Sequence, residues 1–298
     1  MIMNKKYIEL IKEMHLGKCI MIDGATGTEL ERRGVPQIPN AWNGGGALSH
    51  PEILKQIHKE YIELGAKIII TNTLATGKHT LKDANQIHNF EKLNSEGVLI
   101  AKKACKEVNK DSLIAGGISY WTFTKNKPPL KILKENVKDQ ALILKKNGVD
   151  LLILEMMEDI KRMMITIEGA KNVNLPIWVG LSCKKDSFGK VVLLNGDPLE
   201  KALDNLNNKN IDLINIMHTE IPLINACLDI LQNNWKGLIG VYAHSGVMEK
   251  TNWTFEEVIS PEHYSKYVKE WIERGINLVG GCCGITTEHI KYISENNF

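Results

Sequence analysis

The stretch INLVGG, residues 276–281, decides the fold, because it is the eighth in a series of short apolar runs. Nearly continuous runs of Ile, Val and Leu are typical of parallel strands that are covered on both faces. The seven earlier runs, in chain order, are CIMID (19–23), AKIIITN (66–72), SLIAGGI (112–118), DLLILE (150–155), PIWVGL (176–181), DLINIMH (212–218) and GLIGVYA (237–243).

Segments with helix-start and helix-stop signals separate these runs. One begins at Pro51 and ends at Gly65, another ends at Gly148, and a third runs from Pro261 to Gly275. Proline in the first turn and glycine just past the last turn are the usual boundaries of a helix. Eight alternating β–α units therefore predict a (β/α)8 TIM barrel, an α/β fold. A doubly wound sheet is disfavoured, because no G-x-G-x-x-G motif follows the first run.

One domain is expected over residues 1–298, with 1–18 as an N-terminal helical extension, since no Pro/Gly/Ser linker divides the chain. A net charge of +2 over 298 residues gives no indication of a nucleic-acid partner. No apolar stretch approaches the roughly 18 residues of a membrane span, and the charged start does not have the pattern of a secretory signal. Six cysteines without such a signal favour reduced thiols and a cytoplasmic location. Nothing in the sequence indicates an oligomeric state.

Polar and thiol side chains stand where the predicted strands end, which is the catalytic face of a barrel. His218 ends the sixth run, and the adjacent pair Cys282 and Cys283 follows the eighth. Neighbouring cysteines rarely bridge each other, because the small ring strains the backbone. One His and two Cys suit a tetrahedral zinc ion with a fourth position open. Zinc there would convert a thiol substrate into a nucleophilic thiolate.

Four segments together resemble the homocysteine S-methyltransferase family, over essentially the whole chain. They are MIDGATGTELERRG (21–34), TNT (71–73), DLLILEMMEDIKRMMITIEGA (150–170) and GGCCGI (280–285). The family includes betaine- and S-methylmethionine-dependent enzymes and the homocysteine-binding module of cobalamin-dependent methionine synthase. The resemblance implies a zinc-dependent barrel that transfers a methyl group from a small sulfonium or ammonium donor to homocysteine, giving methionine.

The resemblance also implies roles for individual residues. The family binds its metal with three cysteines, and two of them match Cys282 and Cys283. The third position holds His218, which makes the ligand set one unit more positive. Asp23 and Glu155 match the acids that bind homocysteine, and they suit its α-ammonium group. No catalytic side chain is expected, because the metal would activate the thiol and a donor that leaves as a neutral sulfide or amine needs no general acid.

The remaining predictions concern the rim of the barrel. Gly24 opens a loop (24–27) whose amides suit the α-carboxylate of homocysteine, and Asn72 and Thr73 are expected to line the same mouth. Trp42 and Trp121 lie in two long loops (24–50 and 119–134), where they could face a donor cation or simply pack.

Plainer interpretations stay open at this stage. His218 could be a hydrogen-bonded pocket residue, Asp23 a turn residue, and Glu155 a structural ion-pair partner. The cysteine pair could be buried thiols. Two further functions also fit the sequence: a methyltransferase for another thiol or a selenol, and an inactive barrel that binds a metal or an amino acid.

Overall fold

Eight parallel strands form the central barrel of the computed structural model, which describes residues 4–207, 209–249, 252–254 and 258–298. In chain order the described strands are β1 Ile20–Met21, β2 Ile68–Ile70, β3 Leu113–Ile118, β4 Leu151–Met157, β5 Ile177–Leu181, β6 Cys183–Lys185, β7 Val191–Leu193, β8 Leu213–Glu220, β9 Leu238–His244, β10 Val247–Glu249, β11 Asn252–Thr254 and β12 Leu278–Val279.

The main sheet has the order β1-β12-β9-β8-β5-β4-β3-β2, and all its neighbours are parallel. A parallel bridge between Ile22 and Ile68 joins the two ends of this order and closes the barrel. Each of the eight predicted runs supplies one barrel strand, so the predicted fold class is confirmed.

Helices cover the outside of the barrel. They are α1 Lys5–His15, α2 Thr26–Arg32, α3 Gly46–Ser49, α4 Pro51–Glu63, α5 Lys78–Asp83, α6 Phe90–Val108, α7 Leu130–Asn147, α8 Ile160–Ala170, α9 Leu199–Leu206, α10 Ile224–Asn234, α11 Pro261–Glu273 and α12 Thr287–Asn297. The three helix signals in the sequence correspond to α4, α7 and α11. In the described part of the chain, no helix combines the length and the apolarity that crossing a bilayer requires.

Two antiparallel hairpins and a pair of short helices were not predicted. The hairpin β6–β7 follows barrel strand β5, and β10–β11 follows β9. Helices α2 and α3 lie within the segment 24–50, which the sequence presented as a long loop. All these additions follow the carboxyl ends of barrel strands, so they enlarge the face on which barrel enzymes carry their chemistry.

Helix α1 closes the opposite, amino-terminal end of the barrel. The Tyr7 hydroxyl donates a hydrogen bond to the Asp212 carboxylate at 2.6 Å, just before β8 begins. The indole N–H of Trp178, inside the barrel, donates to the same Tyr7 oxygen at 3.0 Å. The Met14 carbonyl accepts from Asn277 at 3.2 Å, just before β12. Helix α1 is therefore fixed across the floor of the barrel.

Candidate active site

A cavity of about 300 Å³ opens at the carboxyl-terminal mouth of the barrel. Its wall combines the ends of β1, β2, β4, β8, β9 and β12 with the loops that follow them. The structure brings most of the residues singled out in the sequence into this one wall: Asp23, Gly24, Trp42, Asn72, Trp121, Glu155, His218, Cys282 and Cys283.

The metal-ligand candidates form a tight group. His218 Nδ1 lies 3.6 Å from Cys282 Sγ, which lies 3.9 Å from Cys283 Sγ. The three ligand atoms all fall within 4.8 Å of one another. Ligand atoms of a tetrahedral zinc site lie roughly 3.3–3.8 Å apart, given its bond lengths of about 2.0–2.3 Å. The spacing and the soft donor chemistry of these side chains therefore fit a zinc ion.

Backbone irregularities turn two of the site residues into the mouth. The pairing of β8 with β9 shifts between Met217 and Glu220, and within that shift His218 adopts a left-handed φ of 43°. The pairing of β4 with β5 shifts between Leu154 and Met157, where Met156 has a φ of 57°. Bulges of this kind redirect side chains at the rims of barrels. A non-glycine residue in the left-handed region is strained, so packing around the site must hold it.

The cysteine loop is anchored on both sides. The Cys282 N–H donates to the Ala243 carbonyl at 2.9 Å, and the Ser245 N–H donates to the Cys283 carbonyl at 2.9 Å. On the other side, the Gly281 N–H donates to the Asp23 carbonyl at 3.1 Å. The two thiols are therefore fixed between β9 and the loop after β1, beside the predicted substrate-binding acid.

Asp23 and Glu155 form a second, acidic corner of the cavity. They are 2% and 5% exposed. Asp23 accepts a hydrogen bond from the Ile70 N–H at 2.8 Å, whereas no group in the described part of the chain donates to the Glu155 carboxylate. Burial raises the pKa of Glu155 to about 8. Burial, with a contribution from nearby Glu155, raises the pKa of Asp23 well above its usual range. Two such acids favour a bound cation, which would return both to the charged form.

Thr73 does not line the cavity, unlike the neighbouring Asn72. It is fully buried, and its hydroxyl donates to the Gly117 carbonyl at 2.7 Å. The Thr73 N–H bonds to the Thr71 carbonyl at 2.7 Å, so the backbone turns immediately after β2 and directs this side chain into the wall. Asn72 donates from its side chain to the Asn43 carbonyl at 3.0 Å, which ties two rim loops together.

His244 supports the metal corner from β9. Its ring packs on that of His218 with 4.6 Å between centroids. Burial, and then the neighbouring His218, lower the pKa of His244 to about 3. His244 is therefore neutral at physiological pH and adds no positive charge beside the ligands.

Several lining residues were not singled out from the sequence, among them Phe123, Met156, Met217 and Tyr242. Met156 and Met217 pack together through the Ser182 hydroxyl, which lies 3.6 Å from one sulfur and 3.2 Å from the other. Tyr242 lies in the seventh apolar run, where the sequence pattern predicts a buried ring and gives no information about the environment of its hydroxyl. Phe123 sits two residues after Trp121 in a polar loop, and that spacing was the available clue.

Residues 20–296 match the model of the family described as homocysteine S-methyltransferase. Homocysteine S-methyltransferase 1 of Arabidopsis thaliana is 25% identical, over 97% of this chain and 95% of its own length. Selenocysteine methyltransferase of Astragalus bisulcatus is 26% identical, over 93% of this chain and 92% of its own length.

Among solved structures, the metallated form of the homocysteine methyltransferase MmuM from Escherichia coli superposes with a TM-score of 0.78 at 20% identity. The alignment covers 94% of this chain and 96% of that one. The oxidized form of the same enzyme gives a TM-score of 0.77. These likenesses extend over the whole barrel, so the fold is shared from end to end.

Proposed function

This chain belongs to the homocysteine S-methyltransferase family, and from that premise we propose that it transfers a methyl group from a small sulfonium or ammonium donor to homocysteine, giving methionine. The observation that carries the proposal is a single cavity with two chemically different corners. Three soft ligands, His218, Cys282 and Cys283, stand at one corner. Two buried acids stand at the other. A substrate with a thiol at one end and an ammonium at the other complements both.

We assign the metal site to His218, Cys282 and Cys283. Zinc bound there would lower the pKa of the acceptor thiol, so that the thiol reacts as a thiolate at neutral pH. Three protein ligands leave one tetrahedral position for the acceptor sulfur. Histidine binds zinc as a neutral imidazole and cysteine as a thiolate, so these three ligands would offset the two positive charges of the metal with two negative ones.

The acids and the loop after β1 orient the acceptor. Asp23 and Glu155 would bind the α-ammonium group through charge-assisted hydrogen bonds. The backbone amides of 24–27 would receive the α-carboxylate, as the resemblance implies. Holding the amino-acid end fixes the sulfur in one place, and such positioning is the main contribution a protein can make to a direct displacement.

The aromatic side of the cavity suits the donor. Trp42, Trp121 and Phe123 all line it, and aromatic faces attract sulfonium and quaternary ammonium cations. During transfer, a sulfur lone pair of the acceptor forms the new S–C bond while the bond from methyl to the donor heteroatom breaks. The donor leaves as a neutral sulfide or amine, so no side chain has to supply a proton.

The test is an assay of the purified chain with zinc under reducing conditions. Homocysteine is offered with S-methylmethionine, S-adenosylmethionine or glycine betaine in separate reactions. Methionine formation with one of these donors, in protein that retains a single zinc ion per chain, is the expected result. Protein that binds no zinc and forms no methionine with any donor would refute the proposal.

A selenol acceptor is a second candidate, because the relative from Astragalus bisulcatus is named a selenocysteine methyltransferase. A zinc ion held by the same three ligands would also bind a selenolate, which is softer than a thiolate. Competition between homocysteine and selenocysteine for one donor decides between them, since the ratio of the two kcat/KM values measures the preference directly.

We also propose a cytoplasmic location. All six cysteines are free thiols, including the pair at the metal corner. Thiol ligands and a thiol substrate both need a reducing compartment.

A further inference from the structure

The hydroxyl of Tyr242 is a buried polar group with an unusual environment. Tyr242 belongs to β9, is 2% exposed and lines the cavity. Its oxygen has no hydrogen-bond partner in the described part of the chain. Buried hydroxyl groups in proteins are nearly always hydrogen-bonded, because leaving one unpaired costs stability. An unpaired hydroxyl in the wall of a ligand cavity therefore indicates that the ligand is its partner.

Tyr242 lines the same cavity as both corners of the site. Burial raises the pKa of Tyr242, and nearby Glu155, Cys282 and Asp23 each raise it further. The phenol oxygen therefore lies within electrostatic reach of both acids and of one metal-ligand candidate. A ligand that bridges the two corners must pass beside it.

Two glycines in the barrel wall provide the space for these groups. A Cβ atom on Gly180, in β5, would lie 3.0 Å from the Tyr242 oxygen. A Cβ atom on Gly117, in β3, would lie 2.7 Å from Glu155 Oε2. Any larger residue at either position would displace the hydroxyl or the carboxylate from the cavity wall. The barrel is therefore built to hold both polar groups at this level.

We propose that the Tyr242 oxygen is the third acceptor for the α-ammonium group of the acceptor amino acid, beside Asp23 and Glu155. The inference rests on the proposed function and adds a substrate-binding residue to it. An ammonium group carries three N–H donors, and two carboxylates leave one of them for a further acceptor. The Tyr242 hydroxyl accepts this third N–H through an oxygen lone pair. Together, Asp23, Glu155 and Tyr242 select thiol substrates that carry a primary amine.

The experiment compares Tyr242→Phe with the wild-type chain, both loaded with zinc. Homocysteine is the substrate, and 4-sulfanylbutanoate, which lacks the amine, is measured as a competitive inhibitor. Loss of one hydrogen bond to a charged group should raise the KM for homocysteine about 10-fold with little change in kcat. The inhibition constant of 4-sulfanylbutanoate should stay the same. An unchanged KM, or equal weakening of both thiols, would overturn the inference.

The matched control is Tyr7→Phe, which removes the hydroxyl of an equally buried tyrosine at the closed end of the barrel. This variant should keep the wild-type KM for homocysteine.

Thermal unfolding separates a binding role from a packing role. Tyr242→Phe should unfold at or above the wild-type temperature, because its hydroxyl has no partner to lose, and a clear decrease would count against the inference. If wild-type protein itself neither binds nor methylates homocysteine, the proposed function fails; if it does and Tyr242→Phe matches it, only this inference fails.

Discussion

The two ends of the barrel treat buried polar groups in opposite ways. At the floor, the Tyr7 hydroxyl donates to Asp212 and accepts from Trp178. At the mouth, Tyr242 is just as buried, at 2% exposure, and has no partner among the described residues. The buried hydroxyl at the floor is therefore hydrogen-bonded within the chain, whereas the one at the mouth is available to a ligand.

The acids show the same contrast. At the floor, Asp150 accepts a hydrogen bond from the Ile114 N–H at 2.8 Å and another from the Asn4 side chain. At the mouth, Asp23 has one backbone donor, and Glu155 has none in the described part of the chain. Burial without partners costs free energy, which proteins tolerate where function requires it. The contrast makes different predictions for variants at the two ends.

The largest effect is expected at the metal corner. Cys282→Ala removes one of three candidate ligands, so it should abolish zinc retention and reduce methyl transfer by about three orders of magnitude. Zinc content after dialysis and turnover of homocysteine measure the two losses. Cys105→Ala, a half-buried thiol in α6, is the control and should keep its metal. Full activity in Cys282→Ala would break the assignment of the metal site.

Glu155→Gln should weaken homocysteine binding and stabilise the fold at alkaline pH. The folded-state pKa is raised from 4.5 to about 8, so folded protein holds a proton that unfolded protein releases. The stability of the wild-type chain therefore falls as pH rises from 4.5 to 8, and the variant lacks this decline. Between pH 5 and pH 8 the wild-type chain should lose about 3–4 kcal/mol of stability that the variant keeps. Chemical denaturation of both proteins at pH 5 and pH 8 checks the direction of this change. An equal change in the free energy of unfolding of the two proteins would contradict the prediction.

Tyr7→Phe should lower the stability of the fold without changing the binding of homocysteine. It leaves the Asp212 carboxylate and the Trp178 indole N–H without their partner, so the free energy of unfolding should fall by about 1–3 kcal/mol. The KM for homocysteine should not change, because the floor lies at the other end of the barrel. Urea denaturation and steady-state kinetics test the two statements together. A changed KM for homocysteine with unchanged stability would contradict the contrast between the floor and the mouth of the barrel.

The smallest effect is expected at the aromatic wall. Trp121→Leu keeps an apolar side chain but removes the ring face, so the KM for the methyl donor should rise about 5-fold. The KM for homocysteine should be unaffected, since the acids and the metal corner bind that substrate. A variant that weakens both substrates equally would show that Trp121 only packs.

The eight apolar runs predicted the barrel, because a continuous apolar segment indicates a strand that is buried on both faces. This indication does not depend on the particular tertiary contacts of the strand. The runs also predicted that His218 would meet Cys282 and Cys283, because the carboxyl ends of barrel strands share one face. The sequence did not predict the bulges at His218 and Met156. Left-handed backbone is expected at glycine or asparagine, and a histidine and a methionine occupy these two positions.

Other misses have equally local causes. Thr73 seemed a rim residue because it follows a strand, but a tight turn after Thr71 buries it in the wall. Tyr242 sits in an apolar run, where burial is expected and an unpaired hydroxyl cannot be read from residue type. Whether a buried polar group has a partner depends on side chains from distant strands, which no local pattern records.

The most direct test of the central claim is the X-ray absorption spectrum of zinc bound to the purified chain, recorded with and without homocysteine. We expect two sulfur ligands and one imidazole before substrate is added, and an additional sulfur ligand afterwards. His218→Ala should lose the imidazole signal. A spectrum without imidazole in the wild-type chain, or without new sulfur coordination on addition of homocysteine, would contradict the account.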